Sequence, residues 1–523
     1  MQLAVNGENY EYDTYLLIRE FYPEVKIVRL YDDTGAFRLS ESGYICEYDE
    51  GVSRIAYYSG EDSGIEKRAF EYPVSVSKSD KKEYKKTHMG NLYKVLSEVT
   101  GQSLPWGDLT GVRPTKLARM MFEKGSSEEE VRSFYRNGRF VSEEKCELAI
   151  EIAKRELEIL KPIDTMNGYS LYIGIPFCPT RCSYCSFLSN PIAMWQERVE
   201  EYLSCIKREL DFVKNRFPGQ IPDTIYIGGG TPTALSADEL RVLMDMIHGF
   251  LDSQGNLIGS EGTMAETSGE KGAERTATGL LEFTVEAGRP DSITKEKLRV
   301  LKNAGVDRIS VNPQTMNDQT LVRIGRKHTV EQTVKAFELS REEGFDNINM
   351  DLILGLPGEG TEEIQKTMEE IIRMKPDSLT VHSLAIKRSA GMKGAMLSGE
   401  DSTSLGLNRN PVKMMEVAYA GAGELNLNPY YLYRQKNIAG NLENVGFASE
   451  GKYGIYNILM MEEVQSIIAL GAGTVSKKVM PGDIQRCDTA KDIGLYMDGI
   501  EEMIERKKEL FSDFVGHALD SRV

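Results

Sequence analysis

Six short apolar runs, separated by stretches of helical period, constrain this chain more than any other feature in it. The runs are 171–175 (LYIGI), 223–228 (DTIYIG), 281–286 (LEFTVE), 307–311 (DRISV), 347–354 (NINMDLIL) and 378–384 (SLTVHSL). Helical spacing fills the intervals near 193–216, 236–252, 293–304, 331–343 and 361–374. Strands that alternate with helices in this way form βαβ units around a parallel sheet. The expected fold class is α/β, with a partial (β/α)6 barrel over 166–390. In such folds the chemistry sits on loops at the C-terminal ends of the strands.

The flanks read differently. Residues 1–78 alternate apolar and polar residues in short runs, such as Lys26-Ile27-Val28-Arg29-Leu30 and Arg54-Ile55-Ala56-Tyr57-Tyr58. That is the pattern of a small, mostly antiparallel sheet. From 80 to 163 the period becomes helical, as at Leu92, Val95, Leu96 and Val99. An N-terminal α+β domain, sheet then helices, is expected over 1–165. Residues 253–280 are rich in Gly, Ser, Thr and Glu and read as a flexible insertion. A second loose segment, 387–411, reads as a surface loop, with a lid as the alternative. The remainder, 391–523, is expected as a mixed C-terminal region covering the barrel, with helices near 412–424 and 489–507.

A net charge of −17 argues against a sequence-independent grip on nucleic acid, which relies on surplus Lys and Arg. No run approaches the roughly 18 apolar residues that span a bilayer. The first residues lack the basic and apolar regions of a secretion signal, so a cytoplasmic location is expected. Seven cysteines, three of them packed into eight residues, make a poor disulfide framework. Clustered thiols in a reducing compartment more often bind metal.

Those three stand in Cys178-Pro-Thr-Arg-Cys182-Ser-Tyr-Cys185, directly after the first barrel strand. Thiolates are the usual ligands of iron–sulfur clusters, and four saturate a [4Fe–4S] core. Three leave one iron open, as a catalytic centre requires. The alternative is zinc, which needs a fourth ligand, and no His lies near the run. The second strand ends in Gly228-Gly229-Gly230-Thr231-Pro232, where glycines admit close backbone approach. Polar residues stand near later strand ends: Glu286, Gln314, Arg326 and Asp351.

The C-x3-C-x2-C loop after a first βα strand resembles the signature of the radical S-adenosylmethionine (SAM) superfamily. By that resemblance the open iron holds SAM, and one electron from the cluster yields a 5′-deoxyadenosyl radical. Tyr172 in Tyr-Ile-Gly-Ile-Pro-Phe-Cys, the Gly-Gly-Gly-Thr-Pro loop, Asp351-Leu-Ile-Leu-Gly-Leu-Pro-Gly and the later Leu470-Gly-Ala-Gly resemble the oxygen-independent coproporphyrinogen III oxidases. The resemblance covers roughly 170–480. It implies that Tyr172, Gly229 and Glu286 contact the SAM on the cluster and that Tyr184 stacks nearby. It places Gly230, Thr231, Gln314, Arg326, Asp351 and Ala385 where a second SAM is held. It assigns no catalytic side chain beyond cluster and SAM.

The N-terminal 165 residues, with Leu109-Thr-Gly-Val-Arg113-Pro-Thr-Lys116, resemble the longer HemZ-type branch. Arg113 and Lys116 read first as exposed basic residues of a turn, and alternatively as partners for propionates. Two positions depart from the family: Gly174 replaces a usual His, and Phe187 replaces a further Cys. Phe187 is shared with related haem chaperones, but their His-Asn-Leu reads here as Tyr456-Asn457-Ile458. The function implied is oxidative decarboxylation of coproporphyrinogen III to protoporphyrinogen IX in haem biosynthesis. The alternatives are a haem-binding chaperone or a radical SAM enzyme on another substrate. The implied partners are a tetrapyrrole and an electron donor such as flavodoxin or ferredoxin, with the chain a monomer and neither nucleic acid nor membrane engaged.

Overall fold

The computed structural model describes residues 1–6, 8–23, 25–30, 39–61, 66–111, 113–254, 279–384, 411–434 and 442–514. Most of the proposed insertion 253–280, all but the last residue of the loose segment 387–411, and Ala385 lie outside the described residues. The chain forms two compact units, one of Met1–Lys154 with Tyr433–Glu443, the other of Arg155–Leu432 with Asn444–Val523.

The first unit carries strands β1 (Gln2–Val5), β2 (Val28–Leu30), β3 (Glu41–Asp49), β4 (Val52–Glu61) and β5 (Glu66–Pro73), in the order β2-β1-β3-β4-β5. The pairs β3–β4 and β4–β5 are antiparallel, as the alternation predicts. β1, however, runs parallel to both β2 and β3. For β2 the reason is a helix, Glu8–Phe21, that carries the chain from β1 across to it. Its Tyr-rich sequence masks the helical period, yet Thr14, Leu17, Ile18 and Phe21 recur at helical spacing and are buried. Helix Lys81–Thr100 starts at Asp80, whose side chain accepts from the Glu83 N–H, and stops at Gly101 in the left-handed region. Its Leu92, Val95 and Leu96 join Leu17, Ile18 and Tyr44 in one core. Each such side chain contributes about 1.5–3 kcal/mol on burial.

In the second unit the six expected strands are β6 (Tyr169–Ile175), β9 (Thr224–Gly229), β10 (Glu282–Gly288), β11 (Arg308–Val311), β12 (Ile348–Leu354) and β13 (Ser378–Ser383). They pair in that order, all parallel. Between β6 and β9, β7 (Phe177–Cys178) and β8 (Asn190–Pro191) form a separate two-stranded ladder. The later strands are β14 (Asn428–Tyr433), β15 (Asn444–Ala448), β16 (Ser466–Leu470), β17 (Val475–Met480) and β18 (Asp483–Asp488). β16 adds a seventh parallel strand beside β6, while β15 and β17 attach antiparallel at either side. The order β14-β15-β13-β12-β11-β10-β9-β6-β16-β17-β18 has two free ends, so the barrel is partial.

Period-two alternation sorts each parallel strand into two faces. Leu171, Ile173, Ile175, Ile225, Ile227, Phe283 and Val285 are fully buried on one face. The other face is polar: register aligns Ser170 with Thr224, Tyr172 with Tyr226, Gly174 with Gly228, and Asp351 with Thr380. A buried ion pair anchors the Leu470–Gly473 turn behind this sheet. Glu209 accepts from Lys507 Nζ, from Tyr496 Oη at 2.6 Å and from the Gly471 N–H at 2.7 Å. No helix among the described residues is long and apolar enough to cross a membrane.

Candidate functional site

The cysteine loop leaves β6 through Pro176 and is closed by the Phe177–Asn190 pairing, with the Asn190 N–H donating to Pro176 O at 2.9 Å. Cys178 and Cys182 are buried, and Cys185 is half-buried. Each sulfur has one donor aimed at it. Thr231 Oγ1 lies 3.4 Å from Cys178 Sγ, Arg289 Nη1 3.9 Å from Cys182 Sγ, and Ser189 Oγ 3.8 Å from Cys185 Sγ. Burial pushes the Cys178 thiol up to about 11, and the Thr231 hydroxyl works against that rise. Donors of this kind stabilise thiolates. Among the described residues no three His, Cys, Asp or Glu side chains gather closely enough to hold one metal ion. Three thiols that each take a different iron of a cubane need not meet at a point. Three thiols, each with a hydroxyl or guanidinium donor beside it, suit a [4Fe–4S] cluster, whose usual ligands are thiolates.

The Gly228–Gly230 loop is glycine for three separate reasons. A Cβ on Gly228 would lie 2.8 Å from Glu286 Oε2. Gly229 has φ +105°, a region closed to other residues, and a Cβ there would meet Tyr172 Oη at 3.2 Å. One on Gly230 would stand 2.5 Å from Phe177 O. The closeness has a purpose: the Gly230 N–H donates to Ile175 O and the Thr231 N–H to Phe177 O, both at 2.7 Å. The glycine loop is thus stitched to the cysteine loop. Gly174 is explained locally too, since a Cβ there would sit 2.6 Å from Thr474 Cγ2.

On the polar face Tyr172, Tyr226 and Tyr456 stack, with Tyr226 and Tyr456 centroids 4.5 Å apart at 21°. Tyr226 Oη donates to Glu286 Oε1 at 2.5 Å. Burial raises the Glu286 carboxyl to about 7, against the pull of that hydroxyl. Asp351 shows the opposite outcome. Burial opposes its ionisation, but His382, 3.9 Å away, and Asn349, donating at 2.7 Å, hold its carboxyl below the ordinary value.

Gln314 bridges strand ends: its N–H donates to Asp351 O and its carbonyl accepts from the Ile353 N–H, both at 2.9 Å. Its φ of +69° is left-handed, as at Phe140, Lys375 and Glu463, but those three end helices whereas Gln314 lies between strand ends. Gln314 Oε1, Asn312 Oδ1, Ser310 Oγ and Arg326 Nε are buried without a hydrogen-bond partner. Native interiors seldom leave such atoms alone, so they are open to a ligand or to ordered water. Arg326 Nη1 donates to Asn312 O, and its guanidinium reaches Tyr184. Tyr184 packs against Leu321, Ile324 and Leu356. The Ser183 N–H donates to Ile324 O at 3.0 Å, tying the cysteine loop to the segment that carries Arg326.

Sequence reasoning missed Arg289, Asp291 and His328. Arg289 follows β10 directly and is 2% exposed. Its guanidinium pairs with Asp291 at 2.9 and 2.6 Å and donates to Thr180 Oγ1 at 2.8 Å. His328, buried, stands 4.0 Å from Asp291. The only sequence signal for Arg289 and Asp291 was position, an Arg-Pro-Asp immediately beyond a strand end, and His328 had none beyond standing two residues after Arg326. Tyr226 was legible in the same way, two residues before Gly228 on the face of Tyr172.

Residues 172–371 match the family model of the radical SAM superfamily, whose members use a [4Fe–4S] cluster and SAM. The oxygen-independent coproporphyrinogen-III oxidase-like protein HemZ of Bacillus subtilis is 37% identical over 497 residues, 93% of this chain and 92% of that protein. The heme chaperone HemW of B. subtilis is 36% identical over 232 residues, 44% of this chain and 54% of the chaperone. Among solved structures, Escherichia coli coproporphyrinogen III oxidase (HemN) has a TM-score of 0.48 and 19% identity, covering 67% of this chain and 72% of that one. With near-complete coverage at that level of identity, the chain belongs to the radical SAM superfamily and, within it, to the family of the coproporphyrinogen-III oxidase-like protein HemZ.

Proposed function

We propose that Cys178, Cys182 and Cys185 ligate the cluster, that Tyr172, Tyr184, Gly229 and Glu286 hold SAM beside it, and that the enzyme oxidatively decarboxylates coproporphyrinogen III to protoporphyrinogen IX, each vinyl group forming with loss of CO2, one hydrogen atom passing to the SAM-derived radical and the remaining electron to a one-electron acceptor. The observation that carries the reading is the stitched pair of loops, in which Thr231 joins the glycine turn to Cys178. Cluster and SAM together would supply a one-electron reductive cleavage and the radical that follows from it. The chain's own part is to orient and enclose. The glycines let the Gly228–Gly230 turn lie directly against Glu286, Tyr172 and the cysteine loop, which sets its backbone beside the proposed amino acid moiety. Glu286, close to neutral pH in its titration, accepts a hydrogen bond or a charge from it. The Tyr172–Tyr226–Tyr456 stack orients that carboxyl through the Tyr226 hydroxyl.

Gly230, Thr231, Gln314, Arg326, Asp351 and Ala385 are proposed for a second SAM. The unpartnered atoms of Gln314 and Arg326 support that placement. The reaction takes place in the cytoplasm, on a monomer, with flavodoxin or ferredoxin as the class of reductant.

The test is anaerobic reconstitution followed by incubation with coproporphyrinogen, reductant, SAM and a one-electron acceptor. Vinyl products are expected, and replacing the three cysteines with Ala is expected to abolish bound iron. An intact cluster that cleaves SAM without forming vinyl products would refute the substrate. A second reading, haem chaperone, is favoured by the HemW similarity and by Phe187. It ranks second because Tyr456, buried in the stack, stands where the resemblance places the chaperone His. Stoichiometric haem binding without turnover would reverse that order.

A further inference from the structure

The Arg289–Asp291 pair has a geometry that loop anchoring alone does not require. Arg289 is buried, and its Nη1 points toward Cys182 Sγ at 3.9 Å while also holding Thr180 Oγ1 at 2.8 Å. Asp291 grips the Nε and Nη2 edge of the same guanidinium, so it lies on the side away from the sulfur. The pair is an oriented dipole with its positive end at the cysteine loop. Its backbone is fixed. The Ser292 N–H donates to Arg289 O at 2.9 Å, and Thr233 Oγ1 donates to Ala287 O at 2.5 Å and lies 2.7 Å from Ser292 Oγ. The Arg289 guanidinium is held inside by this turn, while Asp291 stands at its solvent edge.

We propose that Arg289 and Asp291 are positioning residues that set the reduction potential of the cluster, the cation stabilising its reduced form and the carboxylate limiting that effect. The proposal rests on the ligand assignment above. Reduction adds one negative charge to the cluster. Buried charges and hydrogen bonds at the sulfurs are the protein's means of weighting the two oxidation states. The Arg289 charge acts strongly there because its buried surroundings screen it poorly, and Asp291, paired with it from the solvent edge, offsets part of it. Removing Arg289 deletes the stabilising cation and leaves Asp291 opposing the added electron. Removing the charge of Asp291 leaves the cation unbalanced. The two substitutions therefore act in opposite directions, which a purely structural tie would not produce.

The experiment is a redox titration of the full chain, reconstituted anaerobically, with dithionite and mediators, followed by the electron paramagnetic resonance signal of the reduced cluster. Iron and sulfide content are measured beside it. Arg289→Met is expected to move the midpoint to more negative potential and Asp291→Asn to more positive potential. Each is expected to change the ratio of reduced to oxidised cluster at least tenfold at a fixed potential, about 59 mV for one electron. Arg289→Lys keeps the charge and is expected to stay on the wild-type side of the Met variant. Should Arg289→Met lose its cluster, Asp291→Asn and Arg289→Lys still decide the matter. Shifts of the same sign, or changes under threefold with unchanged iron content, overturn the proposal. A wild-type chain that takes up no cluster refutes the ligand assignment instead, and iron content separates the two failures.

Discussion

Replacing Gly230 with Ala is the sharpest test of why the two loops meet as they do. The new Cβ would stand 2.5 Å from Phe177 O and 2.8 Å from Ile175 O. Both are backbone atoms, and the shorter approach is about 1 Å inside ordinary contact. No side chain can rotate away, so the loops must part. Parting weakens the bonds from the Gly230 N–H to Ile175 O and from the Thr231 N–H to Phe177 O. Overpacking costs about 1–3 kcal/mol, and each lost bond about 1 kcal/mol. The sum is roughly 3–5 kcal/mol, which at roughly 2 °C per kcal/mol lowers the melting temperature by roughly 6–10 °C. Gly249→Ala is the matched control. It lies within helix Ala237–Ser253 with nothing within 4 Å of its Cβ, so the same change is expected to be neutral or to stabilise by about 0.5–1 kcal/mol. Calorimetry of both variants measures the difference, and iron content reports whether Cys178 still binds. Equal melting temperatures and equal iron would refute the account of the stitched loops.

Lys507 and Glu209 are both fully buried, so Lys507→Met strands a carboxylate and is expected to cost about 3–5 kcal/mol in urea unfolding. Adding Glu209→Gln to it is expected to recover part of that loss, and no recovery would show that the pair does not act as a unit. Glu286 has a folded-state pKa of about 7, above its ordinary 4.5. The folded chain then holds a proton that the unfolded chain releases, so this group's contribution is full below about 4.5 and lost as pH rises through about 7. Without SAM, Glu286→Gln is expected to flatten that part of the stability profile, and an unchanged slope between those limits would refute the assignment. In the first unit Glu443 accepts from Trp106 Nε1 at 2.8 Å and Lys145 Nζ at 2.7 Å. Glu443→Ala is expected to destabilise this unit by about 3–5 kcal/mol and to red-shift tryptophan emission, and unchanged emission with unchanged unfolding would refute it.

Much of the second unit is legible in the sequence, because its signals are local. A strand buried on one face and polar on the other declares itself every second residue, and 171–175 and 347–354 read accordingly. The helix at Glu8–Phe21 did not, since its tyrosines favour strands and its apolar stripe is broken by Thr14. The seventh parallel strand, β16, was hidden for another reason. Its partner β6 lies some 300 residues earlier, and no local pattern shows that Ile468 faces Leu171.

By itself the sequence determined that one loop after a first parallel strand carries three thiols, and that glycines end the next strand. Both follow from spacing along the chain, which folding does not alter. Only the tertiary structure decided what each sulfur faces. Thr231, Arg289 and Ser189 reach Cys178, Cys182 and Cys185 from three different segments. Strand register and the turn after β10 fix those distances, and neither is encoded within reach of the cysteines. It also decided that Tyr456 stacks on Tyr226 and that Glu443 belongs with Trp106 and Lys145. Such pairs form because burial leaves a polar atom or a ring no water to meet, and the available partner is the one the fold brings near.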